Sequence, residues 1–156
     1  MTAGFSDPEA RLAELGLRVP PVAAPVASYI PAVRTGSQIF TSGQLPMREG
    51  QLMATGKVGA EVTAEEATAC AQQCALNALA AIRAEAPLVT IARIVKLVVF
   101  VASAPDFTSQ PAVANGASDL LGEVFGAAGR HARSAVGVAV LPLDAPVELE
   151  LLVEVA

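Results

Sequence analysis

An α+β fold, a mixed β-sheet with two long helices packed on one face, follows from three observations in this chain of 156 residues. Apolar, β-branched runs at residues 91–102, 132–141 and 147–153 read as strands. Two longer stretches, 63–85 and 107–126, repeat apolar residues at helical spacing and carry start and stop signals. The resulting order (strand, strand, helix, strand, helix, strand, strand) is that of a two-layer sandwich.

Residues 6–16 read as a short helix, with Ser6 or Asp7 as its cap, Pro8 in the first turn and Gly16 at its end. Pro20, Pro21 and Pro25 then favour an extended tether. Residues 1–27 are therefore expected to form an arm over a single domain, 28–156. Tyr29–Arg34 and Gln38–Ser42 suggest a hairpin around Thr35-Gly36-Ser37. Residues 47–62 are glycine-rich and read as loop with a short strand. Thr63-Ala64-Glu65-Glu66 forms a capping box, and the helix it opens runs to about Glu85, ahead of Pro87. Ile91–Ala102 is too apolar for an exposed strand and reads as central. Pro105-Asp106-Phe107 opens the second long helix, closed by Gly126 and Gly129.

Hydrophobic residues make up 53% of the chain and charged residues 16%, with a mean hydropathy of +0.53. No apolar run reaches the roughly 18 residues of a membrane span. The surplus apolar surface therefore points to a subunit interface. The net charge is −5, with no Trp and one Tyr. Scattered basic residues argue against a nucleic-acid partner. The N-terminus lacks the layout of a secretory signal, and the cytoplasm is expected. Cys70 and Cys74 share a helix face, where packing outweighs metal binding because only His131 could add a third ligand.

One guanidinium, Arg133, stands at the mouth of the otherwise apolar strand 132–141. Fifteen residues on, Glu148 interrupts the run 147–153. If these two strands are neighbours, arginine and carboxylate share one small pocket. Arginine grips planar carboxylates through two parallel hydrogen bonds, so the pair suggests a site for a small carboxylic acid. The alternative for Arg133 is an ion pair with a partner chain. For Glu148 it is a solvated face, since Glu150 and Glu154 share its parity. His131 falls on the same strand face as Arg133, either as a polar wall of the site or as a loop histidine bound to backbone.

Gly36…Thr41-Ser42-Gly43-Gln44-Leu45-Pro46, then Arg133-Ser134…Leu141-Pro142…Glu148, resembles the RidA/YjgF family of enamine/imine deaminases, formerly labelled L-PSP endoribonucleases. The likeness spans about residues 25–156. It implies a homotrimer shaped like bacterial-type chorismate mutase, with clefts between protomers. It also implies that Arg133 holds the substrate carboxylate and that Glu148 positions or activates the attacking water, with the Ala135 carbonyl helping to hold it. Tyr29, Gly43 and Asn115 match further binding positions. His131 stands where the family usually has proline, and Ala135 and Gly137 stand where many active members carry Cys and Glu.

The activity so implied is cofactor-free hydrolytic deamination of short enamine/imine acids resembling 2-aminoacrylate, which needs neither metal nor organic cofactor. Water must be positioned and deprotonated, and a carboxylate base contributes about 10²–10⁴-fold. Tyr29 reads equally as an amphipathic core residue and Asn115 as a helix-surface residue. Two other functions compete: a non-catalytic trimer that binds a carboxylate metabolite, and a ribonuclease or translation inhibitor, which the acidic composition disfavours.

Overall fold

The computed structural model describes residues 7–22 and 28–156. Asp7 caps helix α1 (Pro8–Glu14) by accepting from the Glu9 amide, and Gly16 leaves the helix at φ +74°. Leu12 plugs α1 into the core, while Arg11 donates to the Glu123 carbonyl and Arg83 pairs with Glu9. The alternative cap Ser6 and the Pro25 end of the tether lie outside the described residues.

The hairpin pairs β1 (Ala32–Thr35) with β2 (Gln38–Thr41) through a two-residue turn that needs Gly36 at φ +59°. The first strand begins later than Tyr29 because Pro31 has no amide to give a ladder; its carbonyl accepts from Ser42 instead. Residues 47–52 form a minimal hairpin, β3 (Met47–Arg48) and β4 (Gln51–Leu52), turned by Glu49 and Gly50 at positive φ. Helix α2 (Ala64–Arg83) opens with the full capping box, Thr63 and Glu66 each accepting from the other's amide. Strand β5 (Ile91–Ala102) occupies its expected span. Helix α3 (Gln110–Phe125) starts three residues later than expected: Ser109 is its cap, Pro111 sits in its first turn, and the Gln110 side chain donates back to the Phe107 carbonyl.

Strands β6 (Ala132–Val138) and β7 (Val147–Val155) complete a five-stranded sheet of order β1-β2-β7-β5-β6. Only β5 and β6 are parallel; they are joined through α3, as a βαβ crossover requires. β5 therefore lies between β6 and β7, and the expected adjacency of the Arg133 and Glu148 strands is corrected.

Both long helices pack on one face. On β7 that face carries Val147, Leu149, Leu151, Val153 and Val155, all buried, whereas Glu150 and Glu154 are exposed and Glu148 and Leu152 half-buried. The opposite face has no covering layer among the described residues. It carries apolar Val33, Phe40, Val98, Phe100, Val136 and Leu152, none of them fully buried.

Candidate active site

Strand register decides what one chain can bring together. Arg133 aligns with Leu97 and, across β5, with Leu151, so its side chain lies on the helix face at the sheet's free edge. Glu148 aligns with Phe100 and, beyond it, with Val136, three residues from Arg133. An odd separation places side chains on opposite faces. Arg133 and Glu148 thus occupy two half-sites.

At the first half-site, Arg133 NH1 donates to Asn115 Oδ1 at 2.7 Å and to Ser118 Oγ at 3.2 Å, both on α3. These two bonds use both NH1 hydrogens. Among the described residues Nε and NH2 have no hydrogen-bond partner, and no carboxylate lies within ion-pairing distance of Arg133. The Nε/NH2 edge is a parallel fork shaped for a carboxylate. His131 joins the same cluster: Nε2 is 2.9 Å from Ser118 Oγ and Nδ1 is 2.7 Å from the Gly129 carbonyl.

The second half-site is built by a break in the β2–β7 ladder. Regular pairing ends at Phe40↔Leu152 and resumes only as an isolated bridge, Gln44↔Leu149. The Leu151 amide, left without a ladder carbonyl, donates instead to the buried Thr41 Oγ1 at 3.0 Å. Residues 42 and 43 thereby arch across the sheet, and a Cβ on Gly43 would overlap Glu148 Oε1. Burial pushes the Glu148 carboxyl above the usual carboxylate range, and the nearby Glu150 charge pushes it further. A carboxylate so raised is a stronger base than a solvated one.

The chain matches the family described as "YjgF/chorismate mutase-like, putative endoribonuclease" over residues 9–155. It belongs to this family. It is 48% identical over 147 residues to Protein TCP17 of Trypanosoma cruzi, covering 93% of this chain and 92% of that protein. It is 34% identical over 130 residues to a 2-iminobutanoate/2-iminopropanoate deaminase of Dermatophagoides farinae, covering 83% and 87%. A crystal structure of Agrobacterium tumefaciens Atu1372, described as having unknown function, superposes with a TM-score of 0.88 at 43% identity, covering 97% and 93%.

Against this YjgF-family background the remaining expected site residues are placed as follows. Ala135 follows Arg133 on the same face of β6, half-buried, and Gly137 follows it, exposed, with the Gln110 amide and Ser103 hydroxyl filling the space a side chain would take. Tyr29 precedes the first strand and is 49% exposed, which removes the reading of it as a core residue. Ser42, next to Gly43, donates to the Ile30 carbonyl at 2.6 Å.

Ser118 was not anticipated from sequence, although Asn115 and Ser118 stand three apart on α3, the spacing that puts both on one helix face. Cys70 and Cys74 are buried free thiols, Cys70 pushed by burial up to about 11 and Cys74 well above the usual thiol range. Among the described residues no three His, Cys, Asp or Glu side chains are grouped to hold a metal, and no helix is long and apolar enough to cross a membrane.

Proposed function

We propose that this chain hydrolyses short 2-imino and enamine carboxylic acids without a cofactor, in a homotrimer whose clefts join Arg133 of one copy to Glu148 of the next. The observation that carries this reading is the Arg133 guanidinium, anchored through NH1 with its Nε/NH2 edge unengaged among the described residues. A guanidinium without a counter-ion is costly to shelter unless an anion arrives. Because register puts Arg133 and Glu148 on opposite faces, one small substrate can touch both only between two copies. The apolar sheet face, uncovered among the described residues, supplies the surface for such an assembly. Two unbridged thiols agree with a reducing, cytoplasmic setting.

In this mechanism Arg133 holds the carboxylate and Asn115 holds Arg133. An enamine first tautomerises to the imine. Glu148 takes a proton from water as the oxygen bonds to the imine carbon, the C=N π electrons pass to nitrogen, and Glu148 returns the proton to that nitrogen. The resulting carbinolamine loses ammonia as its C–N bond breaks, leaving a 2-oxo acid. The backbone around Gly43 and the Ala135 carbonyl orient the water, and Tyr29 completes the lining. Positioning and one general base are adequate for so electrophilic a carbon.

The test is ammonia release from freshly generated 2-aminoacrylate. The wild-type chain accelerates it, and Arg133→Ala lowers kcat/KM by roughly 10²-fold or more, the scale of a lost charge-assisted bidentate contact. Equal rates for the two proteins would contradict the proposal. A second reading, a carboxylate-binding trimer without turnover, is favoured by the absence of any ionisable group at Ala135 and Gly137. Its signature is Arg133-dependent binding of 2-oxo acids by a protein that leaves 2-aminoacrylate untouched.

A further inference from the structure

The Gly129 carbonyl can only accept a hydrogen bond, so His131 Nδ1, 2.7 Å away, carries the proton. In the neutral imidazole Nε2 is then a bare acceptor, and the Ser118 hydroxyl, 2.9 Å away, must donate to it. That fixes the direction of the hydroxyl. Its remaining lone pairs face Arg133 NH1 at 3.2 Å, and Asn115 Oδ1 takes the other NH1 hydrogen at 2.7 Å. We propose that Ser118 and His131 are positioning residues for the carboxylate anchor: a backbone–imidazole–hydroxyl relay that holds the guanidinium plane so that its Nε/NH2 edge points outward.

This rests on the reading of Arg133 as a carboxylate anchor, and it adds two residues that do not themselves touch substrate. The relay is directional. Each member accepts from the member nearer the arginine, and the chain ends on a carbonyl that belongs to the turn leading into β6. An arginine side chain has several rotatable bonds, and holding it in one rotamer before the ligand arrives removes that ordering cost from binding. Ser118 is half-buried on α3 and His131 half-buried just before β6, so the relay also ties the helix to the strand that carries the anchor.

The experiment measures binding of 2-oxobutanoate by calorimetry to the whole protein, with thermal melting of every variant as a control for folding. Ser118→Ala and His131→Leu should each weaken binding about tenfold, whereas Ser118→Thr, which keeps the hydroxyl, and His131→Gln, which keeps an acceptor, should recover most of the affinity. The double variant Ser118→Ala/His131→Leu should bind no more weakly than either single one, because both break one chain of bonds. With 2-aminoacrylate the same variants should raise KM and leave kcat nearly unchanged. Binding by Ser118→Ala equal to wild type, or losses that add in the double variant, would overturn the relay while leaving Arg133 as the anchor. A wild-type protein that binds no 2-oxo acid at millimolar concentration would overturn both the relay and the proposed function.

Discussion

Glu148, Glu150 and Glu154 alternate along one strand with the same parity, yet only Glu148 sits half-buried beneath the Gly43 arch with its carboxyl pushed upward. The shift has a sign that can be tested. A carboxyl raised in the folded state favours its protonated form there, so its stabilising contribution is complete below the ordinary carboxylate range and is lost as pH rises through the raised value. Glu148→Gln should therefore melt like wild type in acid and above it at neutral pH, as followed by thermal denaturation across that range. The same variant should lose deaminase activity, and the acid limb of the wild-type rate profile should lie above the ordinary carboxylate range. Gly43→Ala should displace the Glu148 carboxylate that occupies the Cβ position, lowering kcat by roughly 10- to 100-fold because a catalytic group misplaced by about an ångström is severely handicapped. Arg133 was legible in the sequence because it is a lone charge at the mouth of an apolar strand. The distinction among the three glutamates was not, since it arises from an arch that exists only because Thr41 Oγ1 replaces a ladder carbonyl for the Leu151 amide.

Among the elements, those with punctuated ends were readable. Helix α2 begins at its capping box, and β5 spans the apolar run that predicted it. The parallel pairing of β5 and β6 also follows from their helical connection, which is too long for a hairpin. The insertion of β7 between β2 and β5 was not readable, because β6 and β7 are consecutive in sequence and both apolar. Nothing in residue type distinguishes a β6–β7 hairpin from the observed arrangement; the side-chain parity of Arg133 and Glu148 changes meaning only once β5 is placed between them. Helix packing carries its own signature. A Cβ on Gly116 of α3 would run into the Thr68 carbonyl of α2, so the helices approach at a point that only glycine permits. Gly116→Ala should cost about 1–3 kcal/mol and lower the melting temperature by roughly 2–10 °C, since the obstacle is backbone and cannot swing aside.

Across the whole molecule, the apolar excess seen in composition resolves into a location. One sheet face is sealed by α2 and α3, and the other presents Val33 beside Phe40 beside Leu152, with Val98, Phe100 and Val136 further along. Glu148 lies on that second face, and Arg133 projects from the first at the sheet's free edge. In the proposed trimer a closed ring of copies would cover the apolar face and bring the two half-sites together, so the proposal makes assembly a condition of activity. The most direct measurement is complementation. Arg133→Ala and Glu148→Gln chains, each inactive alone, are co-expressed with different tags and purified through both. Any trimer holding both variants contains one junction where an intact Arg133 meets an intact Glu148, so the mixed protein should recover about one third of the wild-type rate. Mixed trimers as inactive as their parents would contradict a site shared between copies.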